Sequence, residues 1–147
     1  MYQRILVATD GSPLSEKAVS SAIALAALCK AKLIAIKVVP YYPQSYFEGS
    51  VPLPAEDVAL VEEQWTADAQ ASVNAVQAEA DALGVEVLPL VVKSDLVSEA
   101  VIASAQEHGA DLIVMASHGR KGLQRLLLGS ETQNVLTHSH IPVLVLR

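Results

Sequence analysis

The sequence predicts an α/β fold: an open, doubly wound sheet of five parallel strands with helices on both faces. Five short runs rich in β-branched and aliphatic residues recur along the chain. Segments of helical period separate most of them, and the runs are apolar on both alternating positions. Parallel strands buried on both faces have that near-continuous character, and right-handed crossovers then wind the sheet in two directions.

The strands are expected at 4–9 (RILVAT), 32–39 (KLIAIKVV), 85–92 (VEVLPLVV), 111–116 (DLIVMA) and 141–147 (IPVLVLR). Residues 13–30 repeat apolar positions at Val19, Ala22, Ile23 and Ala26, with Ser12 as N-cap and Pro13 at the first helical position. Residues 55–83 place Val58, Val61, Trp65, Ala69, Val73, Val76, Ala80 and Leu83 on one stripe, closed by Gly84. That stripe assigns Trp65 to the core. Residues 95–108 carry Val97, Val101, Ser104 and His108 before Gly109, and a last helix follows Gly129-Ser130. Four of the seven prolines gather in PYYPQSYFEGSVPLP (40–54), a long loop between the second strand and the second helix.

Composition narrows the function classes. At 147 residues, with 52% hydrophobic content and a mean hydropathy of +0.37, the chain is expected to form one domain, 1–147. A net charge of −6 argues against a nucleic-acid surface, which needs a basic face. The start, MYQRILVATDGS, has no signal-peptide core, and the uncharged stretch 18–29 is too short to span a bilayer. The single cysteine, Cys29, excludes an internal disulfide and is expected to be a buried small hydrophobe, which together predict a cytoplasmic protein.

With strand order 3-2-1-4-5, the topological switch falls between the first and fourth strands, where an open α/β sheet binds its ligand. The residues leaving those strands are ATDGS (8–12) and MASHG (115–119). In MASHGRKGLQRLLLGSETQN (115–134), Arg120, Lys121 and Arg125 concentrate three of the chain's ten cations. Ser130 and Gln133 have capping-box spacing, so Ser130 should begin the last helix. A helix start offers unpaired N–H groups and partial positive charge to phosphate oxygens. The same residues also suit a glycine-rich turn, a structural cap and a solvated basic loop. No Walker G-x-x-x-x-G-K-[ST], no G-x-G-x-x-G after the first strand and no G-x-S-x-G elbow is present.

Three blocks, ILVATDGSPLSEKAV, GADLIVMASHGRKGLQRLLLGS and IPVLVLR, give the whole chain a resemblance to the universal stress proteins, with an adenine nucleotide alpha-hydrolase-like fold. The ATP-binding branch of that family carries G-x2-G-x9-G-[ST]. Here Gly119, Gly129 and Ser130 keep the pattern, while Ala116 occupies the first glycine position. At ordinary β dihedrals the methyl group is tolerated; at positive φ it would strain the loop.

The resemblance implies ATP with Mg or Mn as the ligand. It places Ala8, Thr9 and Asp10 along the nucleoside, with Asp10 near the ribose or the metal, and Val38 reading the adenine edge through its backbone. Met115, Ala116 and Gly119 would flank the ribose and α-phosphate. Gly129, Ser130, Glu131 and Thr132 would hold the triphosphate, Glu131 through its backbone alone, and Arg120 adds charge or remains solvated. Asp10-Gly11-Ser12 is equally a turn followed by a helix cap. His118 is read as a loop brace, His138 and His140 as surface residues.

No catalytic residue is nominated, since nothing beyond Asp10 offers a base, and turnover is expected to be slow or absent. The resemblance implies a dimeric regulator in a stress response, paired through its last strand and acting on a partner such as a transporter or signalling protein. A non-nucleotide interaction module and a slow ATPase are the alternatives.

Overall fold

The computed structural model describes residues 1–43, 49, 51–119 and 128–147. Along the chain run β1 (Arg4–Ala8), α1 (Pro13–Cys29), β2 (Lys32–Val39), α2 (Ala55–Asp81), β3 (Val87–Lys93), α3 (Val97–Glu107), β4 (Leu112–Ala116), α4 (Ser130–His138) and β5 (Val143–Leu146). All strand pairs are parallel, and the sheet order is β3-β2-β1-β4-β5, as expected.

Helices cover both faces. Ile5, Val7, Leu33, Ala35, Leu112 and Val114 pack with α1 and α2. Leu6, Ile34, Ile36, Ile113 and Met115 pack with Val101 and Ala105 of α3 and Val135 of α4. Alternate residues of one strand thus enter opposite cores, which is why these strands read as unbroken apolar runs.

Several element boundaries differ from the sequence expectation, three of them for visible reasons. β3 begins at Val87, because the Val85 N–H instead closes the end of α2 on the Ala80 carbonyl, at 3.1 Å. β5 covers only Val143–Leu146, although the preceding Pro142 carbonyl already accepts from the Ile113 N–H. α2 stops at Asp81, and Leu83 beyond it is 58% exposed instead of closing the stripe.

Trp65 is also corrected: it is only partly buried and stacks on Tyr42, with ring centroids 6.1 Å apart, outside both cores. The buried positions of α2 are Ala69, Val73, Val76 and Ala80, all in its second half. Cys29 is partly buried against the α1/α2 core, short of the full burial expected. Among the described residues no helix is long and apolar enough to cross a membrane.

Candidate functional site

The turn leaving β1 is held by side chains acting on backbone. The Thr9 N–H makes the last ladder bond, to the Ile36 carbonyl at 3.0 Å. Asp10 Oδ1 then accepts from the Ser12 N–H at 2.9 Å, and Gly11 takes a left-handed φ of 79° that allows the chain to fold back. Ser12 caps α1 by accepting from the Ser15 N–H at 3.2 Å, and Pro13 occupies the first helical turn, both as expected. Thr9 Oγ1 accepts from the Gly11 N–H and lies 3.2 Å from Ser15 Oγ. The turn-and-cap reading of Asp10-Gly11-Ser12 therefore holds, and it leaves the carboxylate at the mouth of the switch point.

Ala116 is the last residue of β4 and pairs with Leu146. Among the described residues Lys30 is the one non-glycine with positive φ, so Ala116 carries no left-handed strain. Cross-strand partners share a face of the sheet, and Leu146 packs against the α1/α2 core while Met115 belongs to the α3/α4 core. The Ala116 methyl group consequently points to the α1/α2 face, away from the face that carries α4. Its carbonyl accepts from the Thr132 hydroxyl at 2.8 Å.

Gly119 and Gly129 both permit close approach at ordinary backbone angles. A Cβ on Gly119 would overlap Asp10 Oδ2. One on Gly129 would lie 3.2 Å from His118 Cα and 3.4 Å from the Ser117 carbonyl oxygen, which accepts from the Gly129 N–H at 2.7 Å. The two glycines thus close the loop leaving β4 onto the turn leaving β1 and onto the start of α4. His118 Nδ1 lies 3.1 Å from Ser117 Oγ, the bracing contact expected of it.

The cap of α4 departs from the capping-box expectation. Gly129 is the N-cap, Ser130 is the first helical residue, and no side chain caps the helix. The Gln133 side chain does reach back, but donates to the Leu128 carbonyl at 2.9 Å. The reason is steric: the N-cap position rests on the 117–118 backbone, where only glycine fits comfortably. The N–H groups of Ser130, Glu131 and Thr132 have no protein partner among the described residues, as the first turn of an uncapped helix predicts. The Gly129 N–H and the Thr132 hydroxyl, in contrast, are already engaged within the chain.

Glu131 makes a contact that sequence reasoning missed. Its Oε2 accepts from the Ser98 N–H in the first turn of α3, at 3.0 Å. The residues are 33 apart, and no local pattern signals the pairing.

Ala8, Val38 and Met115 all belong to the α3/α4 core and hence share the sheet face on which α4 begins. The Ile36 carbonyl binds β1 and the Val39 carbonyl binds the Ser94 N–H, so alternation along the parallel ladder turns the Val38 peptide towards β1, beyond the end of β1. Arg120, with Lys121 and Arg125, lies outside the described residues, as does most of the 44–50 segment of the proline-aromatic loop. His138 and His140 are exposed. Among the described residues no three His, Cys, Asp or Glu side chains converge as a metal cage would require. One surface depression of about 590 Å³ runs along the first half of α2, past Glu62 and Thr66 to Lys93 at the carboxyl end of β3.

The fold is shared with known proteins. The family model for the Universal stress protein family matches residues 1–147. Universal stress protein MJ0531 of Methanocaldococcus jannaschii is 35% identical over 148 aligned residues, covering 100% of this chain and 83% of that protein. The solved structure of MJ0577 from the same organism superposes with a TM-score of 0.85 at 29% identity, covering 99% of this chain and 96% of its own. A universal stress protein solved in complex with cAMP has a TM-score of 0.71 at 32% identity, covering 99% and 97%. With a full-length family match added to the strand order read directly from the sheet, the chain belongs to the universal stress protein family.

Proposed function

We propose that this protein binds ATP, with Mg²⁺ or Mn²⁺, at the carboxyl ends of β1, β2 and β4, and works in the cytoplasm as a dimeric regulator in a stress response. One observation carries the reading: the uncapped start of α4, whose Ser130, Glu131 and Thr132 N–H groups have no partner among the described residues, opens on the same sheet face as Ala8, Val38 and Met115. The complex of a 32% identical relative with cAMP supports an adenine nucleotide as the ligand class.

In this reading the N–H groups of Ser130, Glu131 and Thr132 and the Ser130 hydroxyl receive phosphate oxygens, assisted by the helix dipole. The Val38 peptide offers a donor and an acceptor to the edge of adenine. Ala8, Thr9 and Met115 flank the nucleoside. Ala116 and Gly119 shape the passage between base and phosphates, and Arg120 adds charge to the tail. Gly129 and the Thr132 hydroxyl act by holding the helix start in place. Asp10 is a carboxylate at the same edge, and nucleotide-bound Mg²⁺ commonly takes one or two carboxylates along with phosphate oxygens. The metal would neutralise charge on the phosphate tail when bound.

A regulator of this kind acts by changing its affinity for a partner, such as a transporter or signalling protein, between nucleotide states. Nucleotide binding is tested by thermal melting with Mg-ATP. At a hundredfold excess over Kd, binding stabilises by about 2.7 kcal/mol, which raises Tm by roughly 5–10 °C in a domain of this size. Gly129→Val, which pushes α4 off the 117–118 backbone, is expected to remove that shift while circular dichroism reports a folded sheet. A wild-type Tm that stays fixed at millimolar Mg-ATP would instead favour an interaction module without nucleotide.

A further inference from the structure

The first turns of α3 and α4 lie side by side on one face of the sheet, joined by the bond from the Ser98 N–H to Glu131 Oε2 at 3.0 Å. α3 has no side-chain cap of its own: Leu96 stands at its N-cap, and its side chain has nothing to accept with. Ser94 Oγ accepts from the Leu96 N–H at 3.0 Å, one residue too early to serve the helix. Glu131 therefore supplies α3 with its missing acceptor, from the second position of α4. The same carboxylate sits in the first turn of α4, where negative charge also favours that helix. One side chain thus complements two helix starts.

The consequence lies in where the charge goes. A carboxylate at the second position of an anion-binding helix start would repel phosphate if it turned towards the N–H groups of its own turn. Bonded to Ser98, it is drawn sideways onto another helix while its backbone N–H stays in the cradle.

We propose that Glu131 is a positioning residue for phosphate binding: its bond to Ser98 fixes the first turn of α4 against α3 and withdraws its own charge from the anion's path. This inference rests on the nucleotide reading above. It assigns the side chain a role separate from contact with the ligand, and it makes α3 the element that responds when the tail is bound. By linkage, whatever the Ser98 bond contributes to phosphate affinity, the bound phosphate returns as protection of that bond.

The test is calorimetric titration of wild type, Glu131→Gln and Glu131→Ala with Mg-ATP and with adenosine, alongside amide hydrogen exchange at Ser98. Gln keeps an acceptor oxygen and drops the charge; Ala removes both. Charge-assisted bonds of this type are worth a factor of roughly ten or more. The expected order for ATP is therefore Gln within about threefold of wild type and Ala weaker by about tenfold. Adenosine, which lacks the phosphates, should bind all three proteins within about twofold of one another. ATP should also slow exchange at Ser98 in wild type and not in Glu131→Ala.

Tighter ATP binding by both variants would show that the carboxylate merely repels the tail, and would overturn the proposal. A parallel loss of ATP and adenosine affinity, tracking a lowered Tm, would reduce Glu131 to a helix cap and overturn it equally. Wild-type protein that binds neither ligand would sink the nucleotide reading and this inference together. Wild type that binds ATP with variants unchanged sinks this inference alone.

Discussion

At the scale of single residues, the sharpest constraint is the meeting of Gly119 with Asp10. Gly119 needs no left-handed φ; its lack of a side chain makes room for Asp10 Oδ2, which a Cβ would overlap. The glycine of the family spacing therefore serves a carboxylate from another strand end. In Gly119→Ala the Asp10 carboxylate, the end of a rotatable side chain, must turn away and give up its bond from the Ser12 N–H. Gly119→Ala and Asp10→Ala should therefore each cost about 1 kcal/mol. In the double variant the clash has no partner, so the two costs should fall short of additive by at least about 0.5 kcal/mol. Urea unfolding of the four proteins measures this, and strict additivity would refute the contact. Ala116 carries the opposite lesson. It replaces a glycine, yet its methyl group lies on the α1/α2 face and its backbone is ordinary strand, so the exchange leaves the α4 side of the switch point untouched.

At the scale of elements, what the sequence made legible was whatever a local pattern determines. The apolar runs gave the strands, Ser12-Pro13 gave the start of α1, and the switch point followed from order alone. What stayed hidden depended on a distant neighbour: the Ser98–Glu131 bond, the choice of Gly129 over Ser130 as N-cap, and the fate of Trp65. The stripe of α2 shows why. Val58, Val61 and Trp65 repeat with the same period as Val73 and Val76, but periodicity does not reveal where the sheet ends. A 27-residue helix is about 40 Å long, whereas the seven residues of β3 reach about 23 Å. The first half of α2 must overhang the sheet, and its apolar residues find local partners instead of a core. Trp65 takes Tyr42, while Lys93 pairs with Glu62 and lies 4.8 Å from the ring centre of Tyr41. Trp65 is the chain's single tryptophan, so its emission reports this contact alone. Tyr42→Ala should shift that emission to longer wavelength and lower stability by roughly 0.5–1.5 kcal/mol. An unchanged spectrum would mean that the stack does not persist in solution.

At the scale of the whole molecule, the sheet ends in β5, and that edge determines what the proposed dimer can be. The Ile113 N–H donates to the Pro142 carbonyl at 2.9 Å and the Ser117 N–H to the Leu146 carbonyl at 2.7 Å. Alternation therefore turns the peptide groups of 142, 144 and 146 towards β4 and those of Val143 and Val145 to the open side. An apolar edge with outward N–H groups is a template for another strand, and a second copy of the same edge is the simplest two-fold cover. Leu144, 41% exposed, adds apolar surface to this margin. Val145→Pro tests the idea with little collateral damage, because it deletes an N–H that serves no bond to β4 and proline is tolerated on edge strands. Light scattering should give a dimer for wild type and a monomer for Val145→Pro at the same concentration, with circular dichroism unchanged. The variant's Tm should also lose its dependence on protein concentration, since a monomer has no partner to stabilise it by mass action. A wild-type monomer would remove the β5 dimer outright. A variant that stayed dimeric would move the interface elsewhere, leaving the edge to be covered by some contact that does not use its N–H groups.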